Sequence, residues 1–191
     1  MLEKYIKDII GAFKDDLRIL AWDLYNEPSN SGRGDRSKSL LEAAYKWARE
    51  LDPSQPLTVG IWSWVDTLNG VETVALGLSD VVSFHNYGNI GQTERQIEKL
   101  RSYNRPMLCT EWLHRPNGNM VNTHLPLFKC EKIGIYNWGL VVGKTQTNLN
   151  WSTMVGEPDE NPAIWQQDLY HADHTPYDAA EIELLRTFIN N

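Results

Sequence analysis

The sequence predicts an α/β protein built on parallel strands, and three observations carry that expectation. Short apolar runs rich in β-formers end near residues 27, 62, 85, 111 and 138, so a strand recurs every 23 to 35 residues. Amphipathic helical stretches fill the intervals, the alternation that βα units with right-handed crossovers produce. The residues that carry chemistry, Glu27, Trp62, His85, Tyr87, Glu111 and Trp138, then fall at the strand C-terminal tips. That is the rim where parallel barrels keep their active sites.

Each element follows from its pattern. Residues 3–14 are expected to be helical, with Tyr5, Ile6, Ile9, Ile10 and Phe13 as an apolar stripe. The first strand, near 17–26, carries Ile19-Leu20-Ala21-Trp22 as a buried run and leads into Asp23-Leu24-Tyr25-Asn26-Glu27-Pro28. Pro28 cannot donate to a sheet ladder, so it stops the strand where Glu27 is presented. A polar, glycine-containing loop follows, and then a helix over 37–51 with Leu40, Leu41, Ala44, Trp47 and Leu51 inward. Leu57 to Trp62 reads as the second strand, with a short helix around 70–76 after it. Asp80 to Tyr87 is the third strand and 92–103 its helix; Arg105 to Trp112 is the fourth strand and 121–132 its helix. Gly134 to Gly139 is the fifth strand. A loop over roughly 142–163 carries Lys144, Gln146, Asn148, Asn150 and Trp151, and ends in a short helical stretch at 162–169. Thr175-Pro176-Tyr177-Asp178 starts a last helix running to Phe188.

At 191 residues and 41% hydrophobic, the chain can build one sizeable core and not two, so a single domain over 1–191 is expected. A net charge of -7 argues against nucleic acid or an anionic membrane surface as partner. Eight Trp and eight Tyr against four Phe supply flat faces with polar edges, suited to sugar rings but equally to an ordinary core. Cys109 reads as a strand residue and Cys130 as a helix residue, so no disulfide is expected. No run is long enough to span a membrane, and Met1-Leu2-Glu3-Lys4-Tyr5-Ile6 lacks the apolar stretch of a signal peptide. The compartment stays open.

Glu27 and Glu111 each close a buried strand, and each neighbours an aromatic residue, Tyr25 or Trp112. Glycoside hydrolysis needs such a pair, one protonated and one ionised. His85 and Tyr87, on the strand between them, have the groups to hydrogen-bond a carboxylate and stabilise its ionised form. Asn26 has an amide for a sugar hydroxyl, and Trp138 a face for the pocket floor. Taken singly each has a plainer reading: His85 as a satisfied structural histidine, Trp138 as core, Glu111 as a salt-bridge partner.

The run WDLYNEP, with Asn26-Glu27-Pro28, resembles the acid/base strand of the retaining TIM-barrel glycosidases, the clan that includes the family 5 cellulases and mannanases. Glu111 in CTEW resembles the nucleophile ending the seventh strand, His85-Asn86-Tyr87 the sixth-strand His-x-Tyr, and Trp138 in YNWG the eighth-strand Trp. The resemblance covers nearly the whole chain. It implies an incomplete (β/α)8 barrel equivalent to strands 4–8, since a whole barrel takes about 250 residues, with strands one to three absent and the C-terminal end whole. It also implies double displacement by Glu111 as nucleophile and Glu27 as acid/base, with the carboxylates about 5–5.5 Å apart. Short β-linked oligosaccharides or aryl glycosides are the expected substrates, with Asn26, Trp62, His85, Tyr87, Trp138, Lys144 and Gln146 in contact and no metal or cofactor. An open part-barrel exposes strand edges and apolar interior, so a homo-oligomer covering them is expected. Three other readings stay open: an inactive carbohydrate-binding or interaction module, half of a barrel completed by another chain, and a metal-dependent hydrolase using Asp23, Glu27 and His85.

Overall fold

The computed structural model describes residues 1–63, 68, 70–151, 159 and 161–189. Among the described residues six α-helices, α1 (Leu2–Phe13), α2 (Lys38–Arg49), α3 (Gly70–Leu78), α4 (Ile90–Leu100), α5 (Val121–Glu131) and α6 (Ala179–Ile189), alternate with short strands. The strands are β1 (Trp22–Asp23), β2 (Leu57–Thr58), β3 (Gly60–Ile61), β4 (Val82–His85), β5 (Met107–Glu111) and β6 (Gly134–Ile135). Ladder bonds join them in the orders β1-β2 and β3-β4-β5-β6. β1 and β2 are parallel in the register Trp22↔Leu57, and β3 and β4 are parallel with Gly60 opposite Ser83. Beyond these, Val82 N donates to Pro106 O, Asn86 N to Glu111 O and Tyr136 N to Cys109 O, rising together as parallel neighbours do. This is the parallel α/β class expected. No helix among the described residues is long and apolar enough to cross a membrane.

The chain divides into two compact units, residues 1–85 with 98–108, and residues 86–97 with 109–191. In the first, α2 buries Leu41, Ala44, Tyr45 and Ala48 in a core with Leu57, Ile61, Val71, Leu76 and Phe84. The spacing 41, 44, 45, 48 is one face of a 3.6-residue helix; Tyr45 and Ala48 take the inward places, while Trp47 is only half-buried. Arg49 closes the unit by a two-pronged pair with Asp80, at 2.8 and 2.7 Å. Gln55 ties α1 to β1: its amide donates to Phe13 O and Asp16 O and its Oε1 accepts from Trp22 Nε1. In the second unit, Trp112, Leu113, Val121, Leu125 and Phe128 form the core, Trp112 meeting Phe128 edge-on at 5.3 Å. Arg115 pairs with Glu181 inside this unit, both buried.

Four expectations are corrected. Ile19-Leu20-Ala21-Trp22 is not a buried strand: pairing begins only at Trp22, and Leu17 and Leu20 stand 96% and 63% exposed. A strand is buried by neighbours on both sides, and among the described residues β1 has one, β2. Of the α1 stripe only Ile10 is buried. The run 57–62 breaks at Val59 into β2 and β3, because its first part pairs with β1 and its second with β4. Residues 162–169 are not helical, since Gln166 N donates to Asn148 O and Leu169 N to Leu140 O, spending on the preceding loop the groups a helix would use internally. Of the loop expected over 142–163, residues 152–158 and 160 lie outside the described residues.

Candidate active site

In the first unit the chemistry gathers on Glu27. After β1 the chain stays beside the next strand, with Leu24 N donating to Thr58 O and Glu27 N to Gly60 O. Glu27 then turns into the left-handed region at φ 47°, ahead of buried Pro28, a conformation costly for a residue with a Cβ. Its side chain is largely enclosed, and both carboxylate oxygens are engaged. His85 Nδ1 lies 2.7 Å from Oε1, and Asn30 Nδ2 donates to Oε2. His85 ends β4 and is buried against the backbone of Gly60. A methyl group at Gly60 would sit 2.5 Å from His85 Nε2 and 3.3 Å from Asp23 Oδ2, so the imidazole occupies the space a side chain would need. Trp62, 40% exposed, donates its indole N–H to Ser29 Oγ at 3.0 Å. Asn26 is exposed beside Glu27.

In the second unit Glu111 ends β5, buried, and accepts the Tyr87 hydroxyl on Oε2 at 2.7 Å. Asn86 N and the buried Cys109 thiol both donate to the Glu111 carbonyl; burial pushes that thiol far above its usual pKa. The Tyr87 ring is flanked edge-on by Trp151 at 4.7 Å and His114 at 6.3 Å. Burial holds the His114 imidazole below its ordinary pKa, so it is neutral at pH 7, and its Nδ1 accepts from Asn117 N.

Trp138 follows β6 half-exposed, on a cavity of about 590 Å³ whose wall includes Leu140, Val141, Gln146, Leu149 and Trp151. Ligand sites run roughly 300–1,000 Å³ and are mostly apolar with a few polar groups. Gln146 reaches this wall from a left-handed φ of 57°. Lys144 is exposed. Beneath the wall Asp168 is buried and accepts Thr147 Oγ1 at 2.7 Å; burial raises its pKa above the usual carboxylate range. Gly139 lies against the same carboxylate, where a Cβ would come within 2.7 Å.

Each unit thus seats one carboxylate with its own partners, Glu27 with His85 and Asn30, Glu111 with Tyr87. Sequence reasoning missed Asn30, His114, Asp168 and Asn119. Asn30 lies three residues after Glu27, a spacing at which turn amides commonly return to a carboxylate. Asp168 and Asn119 act across the chain and leave no local signal.

The class this fold defines is a parallel α/β part-barrel of the TIM type. Solved structures similar to the chain include Bacteroides uniformis beta-glucuronidase (TM-score 0.73, 15% identity, 97% of this chain and 25% of that one). A GH2 beta-galacturonidase from Eisenbergiella tayi bound to galacturonate matches with TM-score 0.70 at 15% identity, over 99% and 36%. A glycosylated endo-beta-1,4-xylanase of family GH10 from Gloeophyllum trabeum matches with TM-score 0.60 at 17% identity, over 96% and 66%. The chain spans about a third or less of the first two and corresponds to part of a barrel. No curated protein matches it by sequence. Residues 1–170 match Cellulase (glycosyl hydrolase family 5), and the chain belongs to that family.

Proposed function

We propose that the chain carries the catalytic carboxylates of a retaining β-glycosidase, with Glu111 as nucleophile and Glu27 as acid/base. In the first step Glu111 attacks the anomeric carbon while Glu27 gives its proton to the departing glycosidic oxygen. The C–O bond to the leaving group breaks as the glycosyl ester forms. In the second step Glu27, now ionised, takes a proton from water; the water oxygen bonds the anomeric carbon and Glu111 is released. The observation that supports this assignment is that the two carboxylates are held differently. Glu27 faces His85 Nδ1, a partner for either protonation state, since N–H donates to a carboxylate and a bare nitrogen accepts from a carboxylic acid. Glu111 faces Tyr87 Oη, a donor suited to a carboxylate that stays ionised until it attacks.

Trp138 and Trp151, on the mostly apolar cavity wall, are the surfaces on which a sugar ring would stack. The class of substrate is therefore a short β-linked oligosaccharide or an aryl glycoside.

The test is hydrolysis of a panel of aryl glycosides by wild type, Glu111→Gln and Glu27→Gln, with the anomer of the first-formed product read by NMR. Retention, with turnover abolished by Glu111→Gln and lowered by Glu27→Gln most for poor leaving groups, is expected. Sugar binding without turnover, or turnover indifferent to Glu111→Gln, refutes the proposal. The series is run across protein dilution. Leu17, Leu20 and the side of β1 with no partner strand among the described residues support a second copy as their cover, so specific activity should fall on dilution; a monodisperse monomer with constant activity would remove that part.

A further inference from the structure

The turn after β5 reads Arg115-Pro116-Asn117-Gly118-Asn119 in sequence. Its last residue does more than close a loop. Asn119 is fully buried, and its main chain pairs antiparallel with His114, Nα to carbonyl both ways at 3.0 and 3.2 Å. Its Oδ1 accepts from Leu113 N at 3.0 Å. Its Nδ2 donates to two carbonyls, Asn86 O at 3.1 Å and Gly88 O at 2.7 Å. Those are the residues on either side of Tyr87. The carbonyl of Tyr87 itself accepts from Asn117 Nδ2 at 3.3 Å. Three consecutive carbonyls after β4 are thus held by two amides from one turn.

We infer that Asn119 is a positioning residue that sets the Tyr87–Glu111 hydrogen bond, an inference that rests on the assignment of Glu111 as nucleophile. One side chain, through amide and carbonyl together, ties the backbone flanking Tyr87 to the backbone two residues beyond Glu111. Leu113, the residue it captures, sits at φ 75°. A leucine is not held in the left-handed region by its own preference, so the buried amide stabilises that bend. The bend ends β5 immediately after Glu111. The Tyr87 ring also meets Trp151 and His114, edge contacts that bear on the plane of the ring more than on the height of its hydroxyl.

The experiment uses Asn119→Ala and Asn119→Asp. The aspartate keeps an oxygen for Leu113 N–H and loses both donors, so it serves if the alanine does not fold. The readout independent of turnover is the Tyr87 ¹³Cζ chemical shift in tyrosine-labelled protein, assigned by its disappearance in Tyr87→Phe. Loss of the hydrogen bond moves that shift toward the value of a solvated tyrosine, and this is expected in both Asn119 variants at retained near-UV circular dichroism. In turnover, kcat should fall on the order of ten- to a hundredfold, as for loss of a hydrogen bond to a charged group. KM should change little, and Asn119→Ala should add nothing further to Tyr87→Phe. A folded variant whose Tyr87 shift matches wild type overturns the inference whether or not the protein is active. Activity surviving Glu111→Gln would overturn instead the assignment on which it rests.

Discussion

The pair Arg115–Glu181 gives the sharpest test of what holds the second unit together. Arg115 Nη2 lies 2.7 Å from Glu181 Oε2, and Nε lies 3.1 Å from both carboxylate oxygens. Nη1 and Nη2 also donate to the carbonyls of Trp165 and Asp168 at 3.2 and 3.1 Å, and the guanidinium stacks 4.5 Å above the Tyr177 ring. Both side chains are over nine-tenths buried. An exposed pair of this kind is worth about 0–1 kcal/mol, whereas removing one partner of a buried pair costs roughly 3–5 kcal/mol because a charge is left without water or counter-ion. Arg115→Leu should therefore lower stability by about 3–5 kcal/mol, plus roughly 1–3 kcal/mol for carbonyls left without donors. At about 2–4 °C per kcal/mol for a chain of this length, the melting temperature falls by at least about 8 °C. Glu181→Leu should cost about as much as the charge term alone. The double variant should be less damaged than the sum of the singles by well over 1 kcal/mol, since no lone charge remains. Urea unfolding of the four proteins measures this. Additive effects, or singles each below about 1 kcal/mol, would show that water reaches the pair and would refute the buried-charge account.

Two further outcomes follow from the same physics. Gly60→Ala places a methyl group 2.5 Å from His85 Nε2, so the imidazole must move off Glu27; kcat/KM should fall at least tenfold with circular dichroism unchanged, and wild-type rates would show that His85 does not position the acid. His114 and His124 are buried and their pKa values are lowered by desolvation. Both bind protons more readily when unfolded, so the stability they contribute is present above about pH 6.5 and is lost as pH falls through the folded values. The urea midpoint should drop between pH 7.5 and 5.5, and by less in His124→Gln; equal losses in both proteins would count against the argument.

Much of the fold was legible because βα units write their period into the sequence: helices at 2–13, 38–49 and 121–131 lie within two residues of where periodicity put them. Of the candidate residues, His85 and Glu111 stand at strand ends as expected, where a polar cluster or a charged residue after an apolar run marks the boundary, whereas Glu27 lies beyond β1 in the turn before Pro28. What stayed hidden depends on pairing between distant segments. Nothing local in Ile19-Leu20-Ala21-Trp22 says that pairing begins only at Trp22 and, among the described residues, on one side. Pro162 to Leu169 has helix-compatible residues, but its backbone bonds the 140–148 loop first. Asn119 reads as an ordinary turn asparagine until the carbonyls of Asn86 and Gly88 are seen at its amide.

The two cysteines give the protein a way to report on itself. Cys130 is exposed on α5, while Cys109 is sealed under Glu111 with its thiol held protonated, and only a thiolate attacks an aromatic disulfide reagent at useful speed. Folded protein should thus release one equivalent of chromophore promptly and a second only as fast as β5 opens. The slow phase is a clock on the strand that carries Glu111, readable in a cuvette without substrate, and a substrate or inhibitor that rests on that strand will make it run slower.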